Sequence, residues 1–353
     1  MIKKIVGLSY ILQTIFMFRN SLLFTVLACV TFVSAYAQRE LYPFMSKGKY
    51  GYINKSGKIV VNATYNFAEK FNDGLAAVKV GGKKGFVDVN GKLVIAAEFE
   101  EATKFNDGLA AVKKAGKWSY IDKTGKIVIT PKCDYAYNFS EGIARLQIGP
   151  KLGFIDKSGK MVIDAKFEYA YDFVEGLARV KENAKSKWGY IDKSGKFVIE
   201  AKFDDCFDFS EGKANVRVGN ETTGKWGFIE KSGKMIIDAE YDKAYKFNDG
   251  MALVRVGDFK NGKFGFIDKN GKIVITPKFF GAFYFSEGLA CVKLNSDKSS
   301  KWGFIDKSGK VAIDYQFEFP VDFEDGIAHI KKGSMKDGKS GYIDKKGSFI
   351  WSE

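Results

Sequence analysis

The sequence predicts an all-β fold assembled from tandem copies of one short unit, and three observations carry that expectation. Aromatic residues make up 15% of the 353-residue chain, and 38 glycines stand against only five prolines, a pairing that suits short strands joined by tight turns. One landmark, Lys-aromatic-Gly-aromatic-Ile-Asp-Lys-Ser/Asn-Gly-Lys, recurs along the chain and is clearest from Lys187 to Lys196. A second, Phe-x-Glu/Asp-Gly-Leu-Ala, follows with its glycine always 23 residues after the first landmark's glycine. Self-similarity at a fixed period signals a repeat architecture and takes precedence over local propensity.

The first landmark's glycine falls at Gly51, Gly85, Gly153, Gly189, Gly227, Gly265, Gly303 and Gly341, with Ser119 in its place once. Successive spacings are 34, 34, 34, 36, 38, 38, 38 and 38 residues. Because the distance to the second landmark never changes, all length variation falls in one loop. Asp-Lys-Ser-Gly, as in Asp156 to Gly159, suits a type I turn closed by a left-handed glycine, the three-residue hairpin with a bulge. Strands therefore flank it, Trp188 to Asp192 before and Lys196 to Ile199 after, and a third, such as Leu177 to Lys181, precedes the variable loop. Each unit reads as a three-stranded meander joined to the next by a Phe-rich connector such as Phe167 to Phe173.

A single meander cannot bury the recurring Phe71, Phe105, Phe139, Phe173, Phe209, Phe247, Phe285 and Phe323. They are expected to form a buried row between units, each contributing about 1.5–3 kcal/mol. The landmark hairpins number nine, from a strand near Leu41 to Met45 to a final hairpin at Tyr342 to Trp351, with no unit visibly shared between the termini. Since propellers commonly close by mixing the termini in one four-stranded blade, the expectation is an open or superhelical solenoid, with a closed propeller-like toroid as the alternative.

Together the Lys-Trp-Gly landmark, Ile-Asp-Lys-Ser-Gly-Lys and Phe-Ser-Glu-Gly-Leu-Ala resemble the WG (KWG) repeat family over about residues 40 to 353. The signature tryptophan stands at Trp118, Trp188, Trp226 and Trp302; Tyr50, Leu152 and Phe264 replace it with other apolar side chains, and Lys84 and Ser340 depart from it. The resemblance implies a β-repeat architecture, often in exported bacterial proteins, and brings no catalytic residue.

Residues 1–37 differ from the rest, being apolar and free of acids. Arg19 precedes the run Leu22 to Val33, and the small residues Ala35 and Ala37 suit signal-peptidase cleavage before Gln38, leaving residues 38–353 as one array. Export to a periplasm, the cell surface or the medium is the expectation. Met17 is an alternative start. A lipoprotein reading would use Cys29, but Leu27 is bulky for a lipobox. The mature chain holds no apolar stretch long enough to span a bilayer. Without Lys3, Lys4 and Arg19 the formal charge falls from +14 to +11, which in an exported protein points to an anionic glycan or an acidic protein sooner than to nucleic acid.

The residues argue against an enzyme, a metal or a cofactor. His329 is the only histidine, and it stands where Ala77, Ala111, Arg145, Arg179, Asn215, Leu253 and Cys291 stand in other units, a variability that suggests solvent exposure. Cys133, Cys206 and Cys291 occupy three different registers with no CxxC spacing. The repeated Asp88, Asp122, Asp156, Asp192, Asp268, Asp306 and Asp344 are best explained as turn formers, as are Glu141, Glu175 and Glu211 before glycine. One pattern does suggest binding. Lys79, Lys113, Lys181, Arg217, Arg255, Lys293 and Lys331 share one register with Gln147, and alternation puts Arg145 and Arg179 on the same face. This candidate basic stripe makes a binding or interaction scaffold the functional expectation, with a structural spacer as the alternative.

Overall fold

The computed structural model describes residues 41–353 except 298, 320, 321 and 334–337. The readings made on the leader, its cleavage point and Cys29 lie outside the described residues.

The first landmark sets a hairpin and the second sets another, and their sum is a blade. In the second unit β4 (Phe67–Ala68), β5 (Leu75–Val80), β6 (Lys83–Asp88) and β7 (Leu93–Phe99) pair in that order, all antiparallel. The first unit has β1 (Leu41–Ser46), β2 (Lys49–Asn54) and β3 (Ile59–Tyr65), which match β5 to β7. Nine such sheets follow one another among the described residues, the first and last of three strands and the seven between of four. We number them blades 1 to 9, spanning 41–65, 67–99, 101–129, 135–167, 169–203, 205–241, 243–279, 281–317 and 327–352.

Both turns form as their residues dictate. Asp156 Oδ1 accepts from the Ser158 and Lys160 N–H groups at 2.8 and 3.1 Å, and Gly159 takes φ +84°, so the carboxylates serve their own turns. The acid of the second landmark and the glycine after it are both left-handed, Glu141 at φ 53° and Gly142 at φ 85°, the signature of a two-residue type I′ hairpin. A non-glycine residue resists that conformation at about 1–2 kcal/mol, and the acid recovers stability across the blade boundary. Asp107 Oδ2 accepts from the Gly142 N–H at 2.6 Å, and Lys157 Nζ donates to the Asp107 carbonyl at 2.7 Å. Both partners belong to the next blade. The relation repeats, with Glu211 accepting from the Gly250 N–H at 3.1 Å and lying 2.9 Å from Lys269 Nζ.

Blades meet through the phenylalanine row. Each ring packs edge-on or tilted against the aromatic that follows the landmark glycine of the preceding blade, as in Tyr190–Phe209 and Phe266–Phe285 with centroids 5.0 and 4.7 Å apart. Such pairs add about 0.5–1.5 kcal/mol to the burial of the rings.

The expected open solenoid is corrected: the array is a closed nine-bladed propeller, the toroid that stood as the alternative. Blade 9 packs on blade 1 through Tyr42, Phe44, Ile53, Ile327 and Tyr342, with Phe44 and Trp351 centroids 4.9 Å apart. Tyr342 donates to the Pro43 carbonyl at 2.7 Å and the Lys47 N–H to Glu353 Oε1 at 3.2 Å. Lys70 pairs with Glu324, and Lys55 of blade 1 lies against Gly326. Two features hid closure. The fourth strand sits inside the Phe-rich connector and in five of the seven four-stranded blades is only two residues long, too short for any period. The seam is a packed side-chain interface between two blades, each built from its own end of the chain, so no shared unit marks it.

Landmark glycine has a steric reason. A Cβ on Gly227 would lie 2.5 Å from the Ile237 carbonyl, because the outer strand crosses directly over it. Where Ser119 takes that place the outer strand stops after three residues, Ile127–Ile129, whereas Ile273–Phe279, opposite Gly265, continues for seven through the same Ile-Thr-Pro-Lys sequence.

Candidate functional site

Side chains from four consecutive blades can line one space only where blades converge, at the propeller axis. Blades 5 to 8 do so around a cavity of about 380 Å³ whose wall includes Phe207, Asp208, Asn215, Tyr245, Lys246 and Tyr284. These residues come from the short first strand of each blade, the residues just after it, and the second strand. The short strands are therefore innermost, and the residues between them and the buried phenylalanine form the channel wall: Tyr137 and Asn138, Tyr171 and Asp172, Phe207 and Asp208, Tyr245 and Lys246, Phe283 and Tyr284.

Arginines at the variable register brace this wall. The Arg179 guanidinium stacks 3.4 Å over the Tyr171 ring, donates to the Cys206 carbonyl at 2.7 Å and pairs with Asp208 at 2.7 Å. Arg145 repeats the arrangement one blade earlier, 3.8 Å over Tyr137, bonded to the Ala170 carbonyl and 3.4 Å from Asp172. In blade 6 Asn215 donates to the Ala244 carbonyl at 2.9 Å, and the wall residue it faces is Lys246 instead of an aspartate. Burial pushes the Asp172 carboxyl above the usual range, a rise that Arg145 opposes and Asp208 reinforces.

The variable register therefore does not mark solvent exposure. Ala77, Ala111, Leu253 and Cys291 are buried, Arg179 is 8% and Asn215 1% exposed; the residue varies because the neighbouring blade that it meets varies. His329 does stand exposed, its Nε2 2.6 Å from Ser340 Oγ.

The basic register is real, yet it does not form a continuous free stripe. Its residues sit across the ladder from the signature position, Lys113 opposite Trp118, Arg217 opposite Trp226, Arg255 opposite Phe264 and Lys293 opposite Trp302. Lys113 and Lys181 lie over the faces of Trp118 and Trp188 at 6.0 and 5.9 Å. Arg217 is 9% exposed. Lys79, Lys113, Lys181, Arg255, Lys293 and Lys331 are half-buried. Lys79 lines a second cavity of about 520 Å³ with Phe67 and Lys84, the lysine at the signature position. Arg145 and Arg179 share its face but turn inward to the channel wall. The channel wall itself was missed in the sequence; the signal was the alternation of Tyr, Phe, Asp and Lys just before each buried phenylalanine.

Among the described residues Cys133, Cys206 and Cys291 form no disulfide, Cys206 and Cys291 being buried and Cys133 half-buried. Burial pushes Cys133 up to about 11 and Cys206 up to about 12, so both stay protonated at neutral pH. Among the described residues no helix is long and apolar enough to cross a membrane.

No curated protein matches the sequence. Among solved structures, a eukaryotic initiation factor superposes with a TM-score of 0.65 at 12% identity, over 90% of this chain and 96% of that one. A putative dipeptidyl aminopeptidase IV from Bacteroides ovatus gives 0.45 at 10% identity, over 90% of this chain and 58% of that one. A prolyl endopeptidase gives 0.45 at 12% identity, over 72% and 50%. At these identities the likeness shows the fold alone. The expectation that the chain is not an enzyme is corrected to an open one: peptidases stand among its structural neighbours, and no enzymatic activity is established for it. The sequence model described as WG containing repeat matches eight segments: 50–83, 85–118, 118–151, 153–185, 188–221, 226–258, 264–296 and 302–335. The chain belongs to the WG containing repeat family.

Proposed function

We propose that the chain is an exported binding scaffold whose ligand seat is the channel wall across blades 5 to 8. One observation carries this reading: a cavity of about 380 Å³, within the range of small-molecule sites, that combines flat aromatic faces with a few polar groups. The wall is stiff, since Arg179 fixes Tyr171 and Asp208 at once, and a preorganised wall loses little entropy on binding. The export half rests on the apolar run Leu22 to Val33 and the small residues Ala35 and Ala37. Anionic envelope material is the favoured source of ligand, in keeping with the charge of +11 left after cleavage. The partly exposed lysines of the basic register would add long-range attraction, falling with salt.

A structural spacer has no use for such a wall. The test is a thermal-shift titration of the chain from Gln38 with fractionated envelope extract, beside Tyr245→Ala. A saturable rise in Tm that Tyr245→Ala abolishes is expected; no saturable shift with any fraction would leave the spacer reading.

A further inference from the structure

Building on the channel as ligand seat, we propose that the cavity between blades 5 and 8 takes an acidic sugar, its carboxylate on Lys246, its hydroxyls on Asn215 and its apolar ring face on Phe207, Tyr245 or Tyr284. Asn215 is 1% exposed, lines the cavity, and has its amide nitrogen engaged by the Ala244 carbonyl. Its Oδ1 is buried with no hydrogen-bond partner among the described residues. A buried acceptor left unpaired is costly, so this oxygen calls for a donor from a ligand.

The charges decide the ligand's sign. Asp208 is answered by Arg179 at 2.7 Å, whereas the Lys246 ammonium rests 4.9 Å from the centre of the Tyr284 ring and feels the Asp322 carboxyl without an ion pair to it among the described residues, so a carboxylate seated on it gains a direct contact. A sulfate or chloride ion supplies no donor for Asn215, and no inorganic anion covers the aromatic faces. A purely apolar ligand leaves Asn215 unpaired. A sugar ring has hydroxyl donors on its edge and an apolar C–H face that lies flat on an aromatic ring, and a uronic acid adds one carboxylate.

The same register continues the pattern. Asn138 Oδ1, a wall residue of blade 4, is also buried without a hydrogen-bond partner among the described residues. Unanswered acceptors at two wall positions fit a polyol, which brings a donor at nearly every carbon, better than a peptide, whose donors and acceptors alternate.

The experiment is isothermal titration of the chain from Gln38 with digalacturonate, with the neutral disaccharide of galactose, and with a dipeptide bearing a free C-terminal carboxylate. Digalacturonate is expected to bind saturably and more tightly than the neutral disaccharide by about tenfold, the worth of a charge-assisted contact. Lys246→Gln, at an exposed position, should erase that preference. Asn215→Leu, which places the residue that stands at Leu253 in the next blade, should weaken both sugars alike. Equal binding of acidic and neutral sugars, an unchanged preference in Lys246→Gln, or tighter binding of the dipeptide would overturn the ligand class while leaving the channel as the seat. Absence of binding by all three, together with saturable Tyr245-dependent binding of an envelope fraction, would likewise refute the acidic sugar alone.

Discussion

Closure can be measured at one aromatic pair, Phe44 and Trp351, which lie 307 positions apart in the chain and 4.9 Å apart at their ring centres. Phe44 is 4% exposed inside the cluster that joins blade 9 to blade 1. In a closed ring Phe44→Ala removes a buried ring from a packed seam and should cost about 3–5 kcal/mol. In an open array the same face of β1 would be the end of the stack, and the change would stay within about 0.5 kcal/mol. Trp351→Ala alone and the double variant complete a cycle whose coupling should be about 0.5–1.5 kcal/mol, the value of a tilted aromatic pair beyond its area. Urea unfolding followed by far-UV circular dichroism reads all four proteins without depending on tryptophan emission. A cost below 1 kcal/mol for Phe44→Ala, with no coupling to Trp351, would refute the ring.

Deleting residues 327–353 should abolish the cooperative thermal transition, since it bares the faces of blades 1 and 8 together, where an open stack would merely shorten; circular dichroism melts decide it. Gly227→Ala should cost about 1–3 kcal/mol, because its Cβ meets the Ile237 carbonyl at 2.5 Å, and hydrogen exchange should rise at residues 239–241 as the outer strand shortens toward the form opposite Ser119. Glu211→Gln should cost about 1–2 kcal/mol at neutral pH. Partial burial raises the Glu211 carboxyl, but Lys269 and the Gly250 N–H outweigh it and hold it below the usual value of 4.5. A depressed native value contributes stability above 4.5 that is lost as pH falls through it, so the gap between wild type and variant should close in acid; a gap independent of pH would remove Lys269 from the clamp.

Much of the fold was legible because it is local. Asp156 to Gly159 forms its bulged turn from its own side-chain bonds, Glu141-Gly142 forms a tight hairpin, and the invariant distance between landmarks confined every insertion to one loop. The phenylalanine row was legible too, since no isolated meander can bury eight such rings. Readings that compared one unit with another at the same register went less well. Variability at Arg145, Arg179, Asn215 and Leu253 looked like exposure, but in the ring that register meets the next blade, and its residue must match a neighbour that also changes: arginine toward Asp172 and Asp208, asparagine where Lys246 stands.

By itself, then, the sequence determined the strands, their turns, their register and the family, because each depends on contacts within one unit or between adjacent units, and those recur in every copy. Closure and the channel were decided by tertiary structure. Whether unit nine meets unit one depends on a small rotation accumulated over eight interfaces, which no single repeat encodes. Only once the ring has closed do residues such as Phe207, Asn215, Lys246 and Tyr284, spread over 78 positions, face a common space.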